Sequence, residues 1–447
     1  MNFLNKNIKY LYILFFSLVF IIEVIYLLPS TIGDSPWFIS LSFNICRENL
    51  FIGIKEIEYY RDVTHAEWVK HGWLMPYTLA KFNFFCSIRG VYFINFIIKI
   101  ATSLVIFKIL KKVEINNFFI AVIIIYVFLL QIKLDFRPET LSILIYLLIY
   151  ISFISKRYFL IGSLFALLFF THIVMFLMVG LFSLIYFYKD ILKLKNFFYC
   201  CIGFLFFLLI LDIIYPYTIL DYINGLLSNR FTRAGSGTAI ITSNFGEWSK
   251  LFLHYWILTP FLPLWGLLFL ILYTSISINN FWLLITLPFI WYFGPHVPIG
   301  DYYAQGLTPL LLILQYEAST GINVFSKYKK IFFYFFSIIL IISSAQIFSR
   351  NVLTIIQHGN EFNYTKKFIE KNLEKIHHLP SFGSMLIEDW KIKNKDNQNF
   401  LYDLYSVNGS RNPCPGKLLE KKDHAIYIFN YKLFNSNSGY GIYICKK

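Results

Sequence analysis

Long apolar runs divided by short polar breaks dominate the chain. Runs at roughly 10–29, 91–110, 117–134, 139–155, 158–171, 173–188, 197–216, 252–275, 281–293, 305–318 and 331–348 each read as a helix of membrane-crossing character. The pattern predicts an all-α polytopic bundle of about 11 transmembrane helices over residues 1–348. From about residue 349 it changes abruptly to a polar, Lys- and Asn-rich tail. There "FNYTKKFIEKNLEKI" has apolar residues at helical spacing, while "SMLIEDW", "NFLYDLYSV", "AIYIFNYKLF" and "YGIYICKK" read as strands. The tail, 349–447, is expected to be a small soluble α/β domain.

The run from Tyr158 to Tyr188 is open to two descriptions: one long tilted helix, or two short ones turning at Thr171-His172. Charge favours the pair. Lys156-Arg157 precede the run and Lys189, Lys193 and Lys195 follow it, so a chain with both flanks in the cytoplasm must go out and return. The short inner segments then hold 13 Lys and Arg residues and the short outer ones 5 (Lys133, Arg137, Arg230, Arg233, Lys250). Eleven spans place the N-terminus inside and the tail outside. The first span, with Lys6 and Lys9 before it and no small-residue cleavage site, is expected to be retained rather than a signal peptide.

Composition agrees with the pattern: 447 residues, 57% hydrophobic, 20% aromatic and only 15% charged, far from the usual soluble balance. The net charge of +15 resides largely in short loops between apolar runs, where it sets orientation, so nucleic acid is not an expected partner. Cys46 and Cys86 share the first outer loop, Cys414 and Cys445 share the tail, and each pair can be a disulfide in an oxidising compartment or two small buried hydrophobes. Cys200 and Cys201 lie within a span and read as packing.

Candidate chemistry gathers on the outer side. The loop 30–90 opens with "STIGDSPWF", where Asp34 is either a helix-start acid before Pro36 or a general base at the mouth of the bundle. Its stretch "KEIEYYRDVTHAEWVKHGW" suits short interfacial helices, with Trp68, Trp73 and Tyr77 at headgroup level. "DFRPE" sets Pro138 and Glu139 at a helix start, with Arg137 either reaching the interface or forming a phosphate-binding corner. Arg230 and Arg233 can join the same anion site or be solvated loop cations. "HVPIGDYY" offers His296, Asp301, Tyr302 and Tyr303, and His172 stands at the proposed turn, where a buried hydrogen-bonded histidine is the plain alternative. Glu23 lies inside the first span, where an acid is costly. Glu56, Glu58, Asp62, His65, Glu67 and His71 are types that bind a divalent metal, but their spacing fits no motif and favours a solvated face. No resident cofactor is assigned, a divalent metal ion being the one left open. No nucleotide or zinc signature is present in the chain.

The order of these features resembles the GT-C superfamily of integral-membrane glycosyltransferases, including the protein O-mannosyltransferases and the lipid A aminoarabinose transferases. The likeness rests on Asp34 after the first helix, "RPE" opening a later one, "DYYAQGLTPLLLIL" before a late one, and a domain after the last span. It departs where many relatives have two adjacent acids and this chain has Asp34-Ser35, and where a late Arg-Tyr pair meets Asp301-Tyr302-Tyr303. The resemblance implies transfer of a sugar from a polyprenyl-phosphate donor to a glycolipid, glycan or protein acceptor on the outer face of a bacterial inner membrane. Asp34 would be the base, and Arg137, Glu139, His172, Arg230, Arg233, His296, Asp301 and Tyr303 would bind substrate. The alternatives are an O-antigen polymerase or ligase, and a transporter, which should show midplane charges and internal repeats; no repeat is visible in the chain.

Overall fold

The computed structural model describes residues 2–25, 73–111, 117–133 and 136–214, short stretches at 38–39, 42, 45–46, 219–220, 223 and between 337 and 349, and three tail strands. The apolar runs are helices: α1 (Asn2–Phe20), continued by a π-turn (Ile21–Ile25), then α2 (Leu74–Lys81), α3 (Ile88–Lys111), α4 (Asn117–Lys133), α5 (Pro138–Ile154), α6 (Tyr158–Thr171), α7 (Ile173–Ile191) and α8 (Leu194–Ile214). Two are long and apolar enough to cross a membrane, Arg89–Lys111 and Leu194–Ile214. The expected spans at 252–275, 281–293 and 305–318 lie outside the described residues, as does most of 331–348.

Contacts divide the chain into two compact units. The first comprises Met1–Phe20, Ala66–Met75 and Phe96–Ser349. At one side of it Phe15, Phe16 and Phe96 set their rings edge-on to Phe128 of α4, at 5.6, 5.0 and 6.0 Å between centroids. Helix α5 is its centre, with 13 of its 17 residues buried. Helix α8 is the opposite case. It is as apolar, yet Phe198, Leu205, Phe206, Leu209 and Ile213 are all exposed. An apolar helix of 21 residues, about 31 Å long and bare on its outer side, is suited to lipid rather than water.

The run 158–188 is two helices. His172, extended at φ −164° and ψ 105°, ends α6 and starts α7, and its Nδ1 accepts the Met175 N–H at 3.3 Å. Helix α7 then comes back. Its Phe187 stacks on Phe153 at 4.4 Å, near the end of α5, whereas His172 meets Glu139 at the start of α5. Those two α5 positions are roughly 21 Å apart along the helix. The Lys156-Arg157 turn and the Lys189–Lys193 turn therefore lie at one end of the unit, and His172 at the other. Lys156 closes α5 in a left-handed conformation (φ 54°), with Arg157 N–H bonded to Ser152 O and Lys156 N–H to Phe153 O, the two crossed bonds of a Schellman cap.

Starting from that basic end, α8 runs alongside α6 in the same direction. Their backbones nearly touch: a β-carbon on Gly162 would strike the Cys200 carbonyl, and one on Gly203 the Phe159 carbonyl. Close backbone approach through small residues is how helices associate where no hydrophobic force separates them from lipid.

The second unit comprises Ile21–His65, Pro76–Asn95 and Arg350–Lys447. Here Cys46 and Cys86 form a disulfide, with Cα atoms 5.4 Å apart. Ser87 caps the start of α3 by accepting the Gly90 N–H at 3.0 Å. Glu23 is buried, 2% exposed, on the π-turn. In the tail, β1 (Ile376–His378) pairs in parallel with β2 (His424–Lys432), and β2 pairs antiparallel with β3 (Ser438–Lys446) in unbroken register from His424↔Lys446 to Lys432↔Ser438. The last two expected strands are thus present. The first two, the expected amphipathic helix up to its final residue Ile376, and Cys414 lie outside the described residues; Ile376 itself opens β1.

Gly162→Val and Gly203→Val should each lower stability by about 1–3 kcal/mol, since a branched side chain must push backbone away. Gly180, on α7, has open space around its missing β-carbon, so Gly180→Ala should be neutral or stabilise by roughly 0.5–1 kcal/mol. Thermal unfolding of the full chain in detergent reads both. Equal melting of Gly162→Val and the unaltered protein would refute the close contact.

Candidate functional site

Arg137, Glu139 and His172, all buried, meet at the end of the first unit opposite the basic turns. Phe136, buried at φ 57°, turns the chain from α4 into α5. Arg137 follows as N-cap residue in an extended conformation, and Pro138 takes the first helical position, where its missing N–H costs nothing. Glu139 comes next, in the first turn, where a negative charge suits the helix dipole.

Glu139 is the hub. Arg137 Nε donates to its Oε2 and Arg137 Nη2 to its Oε1, both at 3.3 Å. His172 Nε2 lies 3.6 Å from Oε1. Arg137, Glu139 and His172 are 4%, 0% and 6% exposed. Because Nδ1 of His172 accepts from Met175, its ring proton sits on Nε2 and faces the carboxylate. One acid thus ties the first turn of α5 to the α6–α7 junction. Arg137 does not reach out to the interface as expected of a lone cation near a helix end; with a carboxylate two residues along, the guanidinium folds inward and pairs in a forked geometry.

Beside the hub lie residues that apolar periodicity conceals. Gln131, near the end of α4 and fully buried, donates through Nε2 to Thr102 Oγ1 on α3 at 3.1 Å and to the Thr140 carbonyl on α5 at 3.2 Å. Lys99, also fully buried, stands one turn before Thr102 on the same helix. The clue in the sequence was the spacing of Lys99, Thr102 and Ser103 within an apolar run. Trp73 is buried, with Phe170 offering its ring an apolar wall at 5.5 Å.

Of the expected site residues, the structure brings Arg137, Glu139 and His172 together. Asp34, Arg230, Arg233, His296, Asp301 and Tyr303 lie outside the described residues, as do Glu56, Glu58, Asp62, His65, Glu67 and His71. Among the described residues no three His, Cys, Asp or Glu side chains converge as a metal site. No protein-family model, curated protein or solved structure matches this chain.

Removing one partner of a buried, forked ion pair is costly. Glu139→Gln should destabilise the protein by about 3–5 kcal/mol, because it removes the carboxylate charge that a buried guanidinium holds in a forked pair. Adding Arg137→Met should restore much of that loss, so the two changes will be strongly non-additive in thermal unfolding. Simple additivity would mean that the pair is not a unit.

Proposed function

We propose that the chain is an integral-membrane glycosyltransferase of the GT-C kind, moving a sugar from a polyprenyl-phosphate donor to a glycolipid, glycan or protein acceptor. The observation that supports this most is the polarity of the first unit: basic turns Lys156-Arg157 and Lys189–Lys193 at one end, the buried Arg137–Glu139–His172 cluster at the other. By the positive-inside rule the basic end is cytoplasmic, which assigns the cluster to the outer face. The sequence assigns Asp34, Arg230, Arg233, His296, Asp301, Tyr303 and the tail, with strands β1–β3, to the same face. The full protein in this reading has about 11 spans and a small α/β outer domain.

In the reaction the acceptor hydroxyl gives its proton to Asp34 as its oxygen bonds the anomeric carbon. The bond from that carbon to the donor phosphate breaks, and the lipid phosphate leaves with the electron pair. Arg137, with Arg230 and Arg233, offsets the phosphate charge, and single displacement inverts the anomeric centre. A divalent metal, if the enzyme takes one, would serve the same phosphate. A transporter is the second reading, favoured by Lys99 buried within a membrane-length helix. Sugar transfer to an acceptor separates the two.

Asp34→Asn keeps size and capping ability but removes the proton acceptor, so transfer should fall roughly 10²–10⁴-fold at matched protein level. The assay supplies membranes with labelled polyprenyl-phosphate sugar; near-normal transfer by the variant would return Asp34 to a capping role. Single cysteines introduced at position 34 and in the tail should react with an impermeant thiol reagent from outside intact cells, and one at Lys193 only after the membrane is opened. The reverse pattern would invert the bundle.

A further inference from the structure

Gln131 poses a question that the hub does not answer. Its amide orientation is fixed, because turning it over would set its oxygen against the Thr140 carbonyl, acceptor to acceptor. Nε2 therefore serves Thr102 Oγ1 and Thr140 O, and Oε1 is left with no donor among the described residues, in a side chain with no exposure at all. Buried acceptors in native proteins are almost always satisfied, so a donor from outside the described residues belongs here. The acceptor is a neutral carbonyl oxygen, which a sugar hydroxyl can serve as donor. It also lies one residue from Glu139 through Thr140, at the same end as Arg137.

We propose that Gln131 Oε1, framed by Thr102 and the α5 start, is a hydroxyl-accepting subsite that receives the sugar moiety of the polyprenyl-phosphate donor. The inference rests on the donor reading above and deepens it: Arg137 serves the phosphate and Gln131 a sugar hydroxyl. Gln131 is a binding and specificity residue in this scheme, with no part in proton transfer.

The test measures binding to the purified full chain in lipid nanodiscs. The probes are farnesyl phosphate and its glucose, galactose, mannose and N-acetylglucosamine phosphodiesters. The unaltered protein should bind at least one sugar-bearing probe more tightly than farnesyl phosphate itself. Gln131→Leu should lose about tenfold for that probe, the worth of one hydrogen bond, while leaving farnesyl phosphate binding unchanged. Sugar-bearing binding that survives Gln131→Leu overturns the subsite and leaves the donor reading standing. Binding of none of the probes by the unaltered protein overturns both. Should Gln131→Leu not fold, the structure of the unaltered protein with the bound probe decides. A sugar oxygen within hydrogen-bond distance of Oε1 supports the subsite, and a water alone there overturns it.

Discussion

A single carboxylate, that of Glu139, sets the terms for everything around it. It is fully buried and holds Arg137 from its own segment and His172 from the α6–α7 junction. Desolvating an acid and a guanidinium is expensive, and their attraction offsets that cost only when the geometry is close and the remaining groups are bonded. The arrangement meets both demands: a forked pair, plus a histidine whose second nitrogen is used by the Met175 N–H. The positions of three helix ends follow from this contact. Without it Arg137 would lose its forked carboxylate partner, and His172 its contact with the start of α5.

That anchor explains how two short helices can replace one long one. Fourteen residues of α6 rise only about 21 Å, short for a 30 Å hydrocarbon layer. A break between two helices leaves backbone groups without helical partners, and buried ones need partners of their own. His172 meets part of this need by capping α7 through Nδ1, while its own N–H bonds the Leu168 carbonyl. The polar side chain at the break is thus a structural requirement before it is a chemical opportunity. At the other end the Schellman cap at Lys156 turns the chain with all three of its backbone bonds made, and it leaves two cations in the turn.

How far the sequence disclosed this depends on which force decided each feature. The break at Thr171-His172 was legible because cations flanked the run on both sides, and charge asymmetry is a global constraint that local packing cannot overrule. Helix ends were less so. Span boundaries follow apolarity, whereas helices follow backbone hydrogen bonds, so α1 begins at Asn2 and α3 at Ile88, ahead of the apolar runs they contain. The sequence left Arg137 open between the interface and a phosphate corner because neighbours in sequence do not show which side a flexible guanidinium will choose. Gln131 and Lys99 escaped notice since each is one polar residue in an apolar stretch, and only the pairing of α3 with α4 shows that Thr102 and Gln131 meet.

These buried polar residues also bear on what kind of object the bundle is. A helix such as α8 can be apolar over most of its length because its closest partner contact is backbone to backbone, at Gly162 and Gly203. Helix α5 cannot, since it carries Glu139, Thr140 and Ser142 into the interior within one turn and a half. Ser142 is satisfied locally, by the Pro138 carbonyl, whereas Glu139 reaches across to another helix and Thr140 receives one through its carbonyl. Packing alone would be served as well by leucine at such positions, and more cheaply. A buried Arg137–Glu139–His172 cluster linking separate helices at one end, and turns rich in exposed cations at the other, make the two ends chemically unequal. That inequality is what the proposed transfer on one face of a membrane requires.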